Sequence, residues 1–309
     1  MPNLQHNAEY ERHLTLAALA HCPRDYQYTD QVRQGRLVDP KSGDSLVLGI
    51  LVHYGLEALW KQRLTGEAIW TPSLALDALE ATPEAHRTEF EDGELVTAIS
   101  KPLLAEARKA IIDYAEQWTG VRDHWNPLEV APLSIPPDPW TVLAGKFVAY
   151  PDLIVNAGPV YPIVVVDHKT SMWKFEANKW EWHPELLTQC LAAKQRWPES
   201  HIFYMIDYLQ RPGKKSNVWS FPATPIWEFT GPKAMAAASW IDHLIERRDD
   251  YRERWYESRV TLAESGKADL EGATVTKHEL PWPQELSQCQ TAWGLCKWYG
   301  GCFGNGSSV

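Results

Sequence analysis

The run Ile163-Val164-Val165-Val166-Asp167-His168-Lys169-Thr170-Ser171 carries a β-branched apolar stretch into charged residues. On a strand, side chains two apart share a face, so Asp167 and Lys169 point the same way. Charges at such a boundary are costly unless they are paired or hold a metal. Upstream, Tyr150-Pro151-Asp152-Leu153-Ile154-Val155 places a second acid at the start of the preceding strand. A hairpin through Asn156-Ala157-Gly158-Pro159 would carry Asp152 toward Asp167. Two carboxylates beside one lysine suit phosphodiester hydrolysis. The acids hold one or two divalent ions, which polarise the phosphate and lower the pKa of the attacking water. The lysine orients that water or stabilises charge on the phosphorane. A solvated Asp167–Lys169 ion pair is the plain alternative, and from composition alone the commoner one.

The elements that must position these residues are legible from periodicity. Leu48, Leu51, Val52, Leu56 and Leu59 form an apolar stripe that predicts a helix over about 45–65. A second helix is expected over 100–119, with Leu103, Leu104, Ala107, Ile111 and Tyr114 on one side. Residues 127–139 contain many prolines and read as a loop. Phe147 to Tyr150 and Leu153 to Val155 are short strand-like runs. Ile163 to Val166 suits a central strand buried on both faces. Pro184 to Arg196 reads as a helix with proline at its start, and His201 to Leu209 with Val218 to Phe221 as an antiparallel pair. A long helix is expected from about Pro232 to Glu257. Helices around a small mixed sheet make an α/β core with helical additions.

The 309 residues carry a formal net charge of −10, which argues against a protein that coats nucleic acid non-specifically. A groove that grips a strand needs only a local positive potential. Hydrophobic content of 44% and charged content of 23% are ordinary for a soluble globular chain. No stretch suggests a membrane span or a signal peptide, so a cytoplasmic location and no membrane partner are expected. The chain holds sixteen tryptophans. Most should fill core and surface, and a few suit base stacking. Trp173 and Trp180, flanking the segment after Lys169, suit stacking on a frayed strand, with core packing the plainer reading for either one.

Pro151-Asp152 followed by Asp167-His168-Lys169 after a β-branched run resembles the PD-(D/E)XK nuclease superfamily. The continuation VVVDHKTS is similar to its RecB-like branch. That branch has a helical glycine, a histidine four residues on and a glutamate four after that, and here Gly49, His53 and Glu57 stand at that spacing. The resemblance implies His53 as a metal ligand with Asp152 and Asp167, and the backbone carbonyl of His168 as a further one. Gly49 would leave room beside the imidazole; a histidine hydrogen-bonded to Glu57 is the structural alternative. The family also places a glutamine, then a tyrosine four residues later, on the helix after the lysine. Either Glu185 and Gln189 stand at those positions, the preferred register, or Gln189 and Ala193 do. In both the chain departs from the family, which leaves the role of these two residues open.

The five cysteines are Cys22, Cys190, Cys289, Cys296 and Cys302. An odd count in a cytosolic chain points away from a disulfide framework and toward metal or cluster ligation. One N-terminal cysteine plus three in a short tail resembles the iron–sulfur members of the superfamily, similar to AddB-type, CRISPR-associated and phage exonucleases. The resemblance implies a [4Fe–4S] cluster on Cys22, Cys289, Cys296 and Cys302, joining the two ends of the chain. Structural Zn²⁺ is the chemical alternative, and free thiols are the plain one. Cys190, among Leu187, Leu191 and Ala193, reads as core.

The resemblance therefore implies a single PD-(D/E)XK domain over 1–309. Segments 1–30 and 281–309 would bind the cluster, and 31–140 would be a helical part carrying His53. The catalytic core would span 141–230, with a helical addition over 231–280. Mg²⁺ or Mn²⁺ is the implied catalytic metal. The implied activity is a DNA exonuclease acting on linear ends or single strands in recombination, repair or phage DNA processing, with a recombination or CRISPR-type protein partner. Arg211, Lys214 and Lys215, in the turn after the second core strand, are candidate phosphate contacts, and Lys194 and Arg196 similar ones. A solvated hairpin tip serves equally well. The rival reading is a non-catalytic nucleic-acid-binding or assembly subunit that keeps the fold, favoured by the altered glutamine–tyrosine helix.

Overall fold

The computed structural model describes residues 44–66, 70–85, 87–89, 95–97, 100–130, 141–142, 147–149, 151–213 and 218–264, with 11–12, 290–291 and 294–295 toward the ends. Cys22, Cys289, Cys296, Cys302, Lys214 and Lys215 lie outside these residues. The chain divides into two compact units. The larger contains the described residues from Asp44 to Val142 and from Val148 to Ala237, and with them the predicted catalytic motif. The smaller contains the Glu11–Arg12 strand and the residues from Ala238 onward.

The larger unit is built on a five-stranded mixed sheet. Its strands are β1 (Asn126–Val130), β2 (Leu153–Asn156), β3 (Ile163–Ser171), β4 (Ile202–Gln210) and β5 (Trp227–Glu228), in the order β5-β4-β3-β2-β1. The β3–β4 pair is parallel and the other three are antiparallel. Helices α1 (Asp44–Leu64), α2 (Ser73–Ala85) and α3 (Lys101–Trp118) form a layer of their own, α1 touching both others as well as β1 and β3. A single turn, α4 (Ala177–Trp180), and α5 (Pro184–Arg196) connect β3 to β4, and α5 packs on both. This is a helix-flanked mixed sheet, the architecture that the resemblance implies. Helix α6 (Gly231–Glu264) runs on into the smaller unit and exceeds the expected span at its C-terminal end. No described helix is long and apolar enough to cross a membrane.

Alternation along β3 divides its side chains between two layers. Val164 and Val166 join the α1–α3 core with Leu51, Leu56, Trp60 and Ile111, which leaves Ile163, Val165, Asp167 and Lys169 on the opposite face. All five residues of the α1 stripe are buried. Ser100 caps α3 by accepting from the Leu103 N–H, with Pro102 in the first turn.

Two expectations need correction. Residues 127–130 belong to β1, not to a loop. Pro127 is tolerated because β1 is a sheet edge, and the register shifts between Pro127 and Glu129. Val218 to Phe221 does not form a strand along β4. It makes one bridge, Gln210 to Ser220, and the antiparallel partner of β4 is β5.

Gly55 marks a close approach of α1 and α3. A Cβ there would stand 2.6 Å from Cγ1 and 2.8 Å from Cδ1 of the buried Ile111 on α3. Gly55→Val should therefore destabilise the protein by about 1–3 kcal/mol through overpacking. A lowered urea midpoint with an unchanged slope checks this.

Candidate active site

Where β2 begins and β3 leaves the core, the acids and the lysine come together. Leu153 pairs with Val166, so Asp152 lies just beyond the hairpin register opposite Asp167. The Asp152 carboxylate accepts the His168 backbone N–H at 2.8 Å, which ties it to the strand carrying the other two. Lys169 Nζ stands 2.8 Å from Asp167 Oδ2 and 3.0 Å from Glu185 Oε2. Gln189 Nε2 donates to Asp167 Oδ1 at 3.2 Å. Glu185 and Gln189 are one turn apart on α5 and face β3 together, so the preferred register is the one that meets the cluster; Ala193 is packed in the core.

His53 arrives from α1. Its Nδ1 lies 3.4 Å from Asp152 Oδ1, and its ring meets the His168 ring edge-on at 6.0 Å. Glu57 takes Lys61 instead of His53. A Cβ at Gly49 would sit 3.1 Å from the Thr170 hydroxyl, so the room it leaves lies toward β3 and not beside the imidazole, as expected from spacing.

The electrostatics follow from this crowding. Burial pushes the Asp167 carboxyl above its ordinary pKa, and Glu185 and Asp152 add to the push against the opposing Lys169 charge. Asp152 differs. Burial would raise it, but His53, with help from His168 and Lys169, holds it well below the carboxylate range. Lys169 is also partly desolvated, yet Asp167, Glu185 and Asp152 hold its pKa well above the ordinary value. Asp152 raises His53 against the effect of burial. The site thus holds three acids around one ammonium that stays charged at any working pH.

A divalent cation fits this donor set chemically. Asp167 Oδ2 is buried and lacks a well-formed hydrogen bond despite the nearby ammonium, and a carboxylate crowded by two like charges is relieved by added positive charge. Among the described residues no three His, Cys, Asp or Glu side chains already form a cage. Magnesium does not require one, since one or two carboxylates and several waters suffice. Asp152 and Asp167 would hold the ion, with His53 and the His168 carbonyl beside them.

Sequence reasoning missed the network on the other face of β3. His168 is the register partner of Asp207 on β4, and its Nδ1 lies 3.2 Å from Asp207 Oδ2. Arg122 grips Asp207 with two bonds of 2.8 and 2.9 Å, and Tyr114 donates to the same carboxylate at 2.6 Å. The guanidinium stacks 3.6 Å over Trp118 and 4.5 Å over Trp125. All four polar side chains are buried. The available signal was a carboxylate in the middle of Ile202-Phe203-Tyr204-Met205-Ile206-Asp207-Tyr208-Leu209, where only a partnered acid is tolerable.

The other described candidates are engaged by other partners. Arg211 is clasped by Glu106, with Nη2 to Oε2 at 2.6 Å, and its N–H donates to Ser171. Lys194 donates to the Ser200 carbonyl and Arg196 pairs with Glu129. Cys190 is buried, as read. Trp173 departs from the plainer core reading and is 63% exposed, because β3 has already left the core two residues earlier; Trp180 is half-buried.

The family model described as the PD-(D/E)XK nuclease superfamily matches residues 13–277. No curated protein matches the chain. Among solved structures, one from Eubacterium rectale, whose own exonuclease assignment is provisional, is similar at a TM-score of 0.45 and 15% identity, over 89% of this chain and 91% of that one.

Proposed function

The chain belongs to the PD-(D/E)XK nuclease superfamily, and we propose that it is a metal-dependent deoxyribonuclease acting on DNA ends or single strands. The observation that carries this is the Lys169 ammonium, 2.8 Å from Asp167 and 3.0 Å from Glu185, one residue after the His168 N–H that holds Asp152. A bound Mg²⁺ or Mn²⁺ would polarise the phosphate and acidify the attacking water. Asp152 and Asp167 would hold that ion, with His53 and the His168 carbonyl as further ligands. Lys169 is a donor and not a base, since its neighbours keep it protonated. It can therefore orient the water or a phosphate oxygen, while Glu185 and Gln189 fix Lys169 and Asp167 in place.

Within the superfamily the RecB-like branch is favoured by the VVVDHKTS run and the spacing of Gly49, His53 and Glu57. The same likeness supports one nuclease domain over the whole chain, with Cys22, Cys289, Cys296 and Cys302 holding a [4Fe–4S] cluster or Zn²⁺. It also favours exonuclease action in recombination, repair or phage DNA processing beside a protein partner.

The test uses end-labelled linear and closed-circular single-stranded DNA, with Mg²⁺ or Mn²⁺ and protein purified without oxygen. Degradation of the linear form alone is the expected result. Cleavage of circles as well would make the enzyme an endonuclease. If neither form is cut, the non-catalytic binding subunit is the better account.

A further inference from the structure

Gly49 lies inside α1, where glycine is the poorest helix former after proline. The strand beneath it supplies a reason for its presence. A Cβ at Gly49 would stand 3.1 Å from the Thr170 hydroxyl oxygen, and among the described residues no other atom outside α1 comes within 4 Å. Non-bonded heavy atoms settle at about 3.5 Å or beyond. A methyl group at Gly49 and the hydroxyl would therefore have to part by a few tenths of an ångström.

Thr170 lies on the face of β3 that meets α1, the face that also carries Val164, Val166 and His168. One turn along α1 from Gly49, the His53 ring faces that of His168, two residues back on the strand, at 6.0 Å. The two steps match, since four helical residues rise about 6 Å and two strand residues about 6.6 Å. Helix and strand thus run in opposite directions and face each other at two successive rungs, Gly49 over Thr170 and His53 over His168. Beyond them the helix is held. Leu56, Leu59 and Trp60 are buried, and Gly55 abuts Ile111 on α3. A group inserted at the first rung is therefore accommodated by tilting the free part of the helix, which carries His53, away from β3. His53 Nδ1 is 3.4 Å from Asp152 Oδ1. Metal–ligand distances tolerate only about 0.2 Å, so a tilt of that size matters there.

We propose that Gly49 is a positioning residue: its bare backbone lets α1 rest on Thr170, and that contact seats His53 beside Asp152 for metal binding. This inference rests on the metal-dependent reading of the Asp152–Asp167–Lys169 cluster and adds what sets the height of its histidine.

Mn²⁺ affinity of the DNA-free protein, read from the EPR signal of unbound Mn²⁺, tests it. Gly49→Ala should weaken binding about 10- to 100-fold, the range for changes just behind a metal ligand. Its urea midpoint should be no lower than that of the wild type, because alanine favours the helix. Adding Thr170→Ala should restore most of the lost affinity, by removing the atom that the methyl meets. In a His53→Ala background, Gly49→Ala should cost nothing further. The proposal is overturned if Gly49→Ala binds Mn²⁺ normally, if Thr170→Ala restores nothing, or if the loss is as large without His53. Asp167→Asn separates the two readings. Wild-type binding that Asp167→Asn abolishes, with Gly49→Ala normal, removes the positioning role alone. Wild-type binding indifferent to Asp167→Asn removes the metal reading of the cluster and the positioning role with it.

Discussion

Lys169→Ala is expected to lower the turnover of DNA cleavage by about 10²–10³-fold, the usual cost of removing one electrostatic contact to the transition state. The loss should fall on kcat, with DNA affinity nearly unchanged, because the ammonium is engaged by Asp167 and Glu185 before any substrate arrives. Removing it also leaves Asp167 buried beside Asp152 and Glu185 with no compensating cation. The Asp167 carboxyl, already raised by burial and by those neighbours, should then take up a proton more readily. Metal affinity would weaken most in the acid range, since a bound ion requires the ionised ligand. Single-turnover rates measured against Mg²⁺ concentration at two pH values check both effects. An equally active variant would show that Lys169 is a strand-end ion pair and nothing more.

Much of this site was legible because it is local in sequence. Period-two alternation put Asp167 and Lys169 on one face, and the Asn156–Pro159 turn returned Asp152 toward them. Proline at its first turn and the pattern that follows marked α5, and its preferred register does bring Glu185 and Gln189 to the cluster. What could not be read depends on which distant elements meet. Arg122 and Asp207 are 85 positions apart, and no local pattern pairs them, although a lone acid in an apolar strand announced that some partner must exist. Pro127 read as loop because proline breaks ladders, a rule that relaxes at the edge where β1 lies. The burial of Trp173 was misjudged for a related reason. Whether an indole faces core or solvent is decided by where the strand leaves the sheet, and the residue type does not report that.

The largest stability effect should come from the far face of the same strand. Arg122→Met is expected to cost about 3–5 kcal/mol, because it strands a buried carboxylate whose strongest partner is gone. Tyr114 and His168 would remain against Asp207, but neither supplies the paired charge-assisted bonds of the guanidinium. The double replacement Arg122→Met with Asp207→Leu should be less damaging than the sum of the singles, since it removes both charges together. Acid should mimic the single loss. Burial would raise the Asp207 carboxyl, but Arg122 and His168 hold it well below the ordinary range. A depressed folded-state pKa gives stability that is complete above the unfolded value, about 3.9, and is lost progressively as pH falls below it. Urea midpoints of the wild type should therefore drop in acid more steeply than those of the double variant. Parallel acid limbs in the two proteins would mean that Asp207 is not the group being titrated. Because His168 lies between Asp167 and Lys169 on β3, the Arg122 variant should also lose cleavage activity at temperatures where it is still folded. That readout separates a network that merely holds the core from one that also aligns the acids.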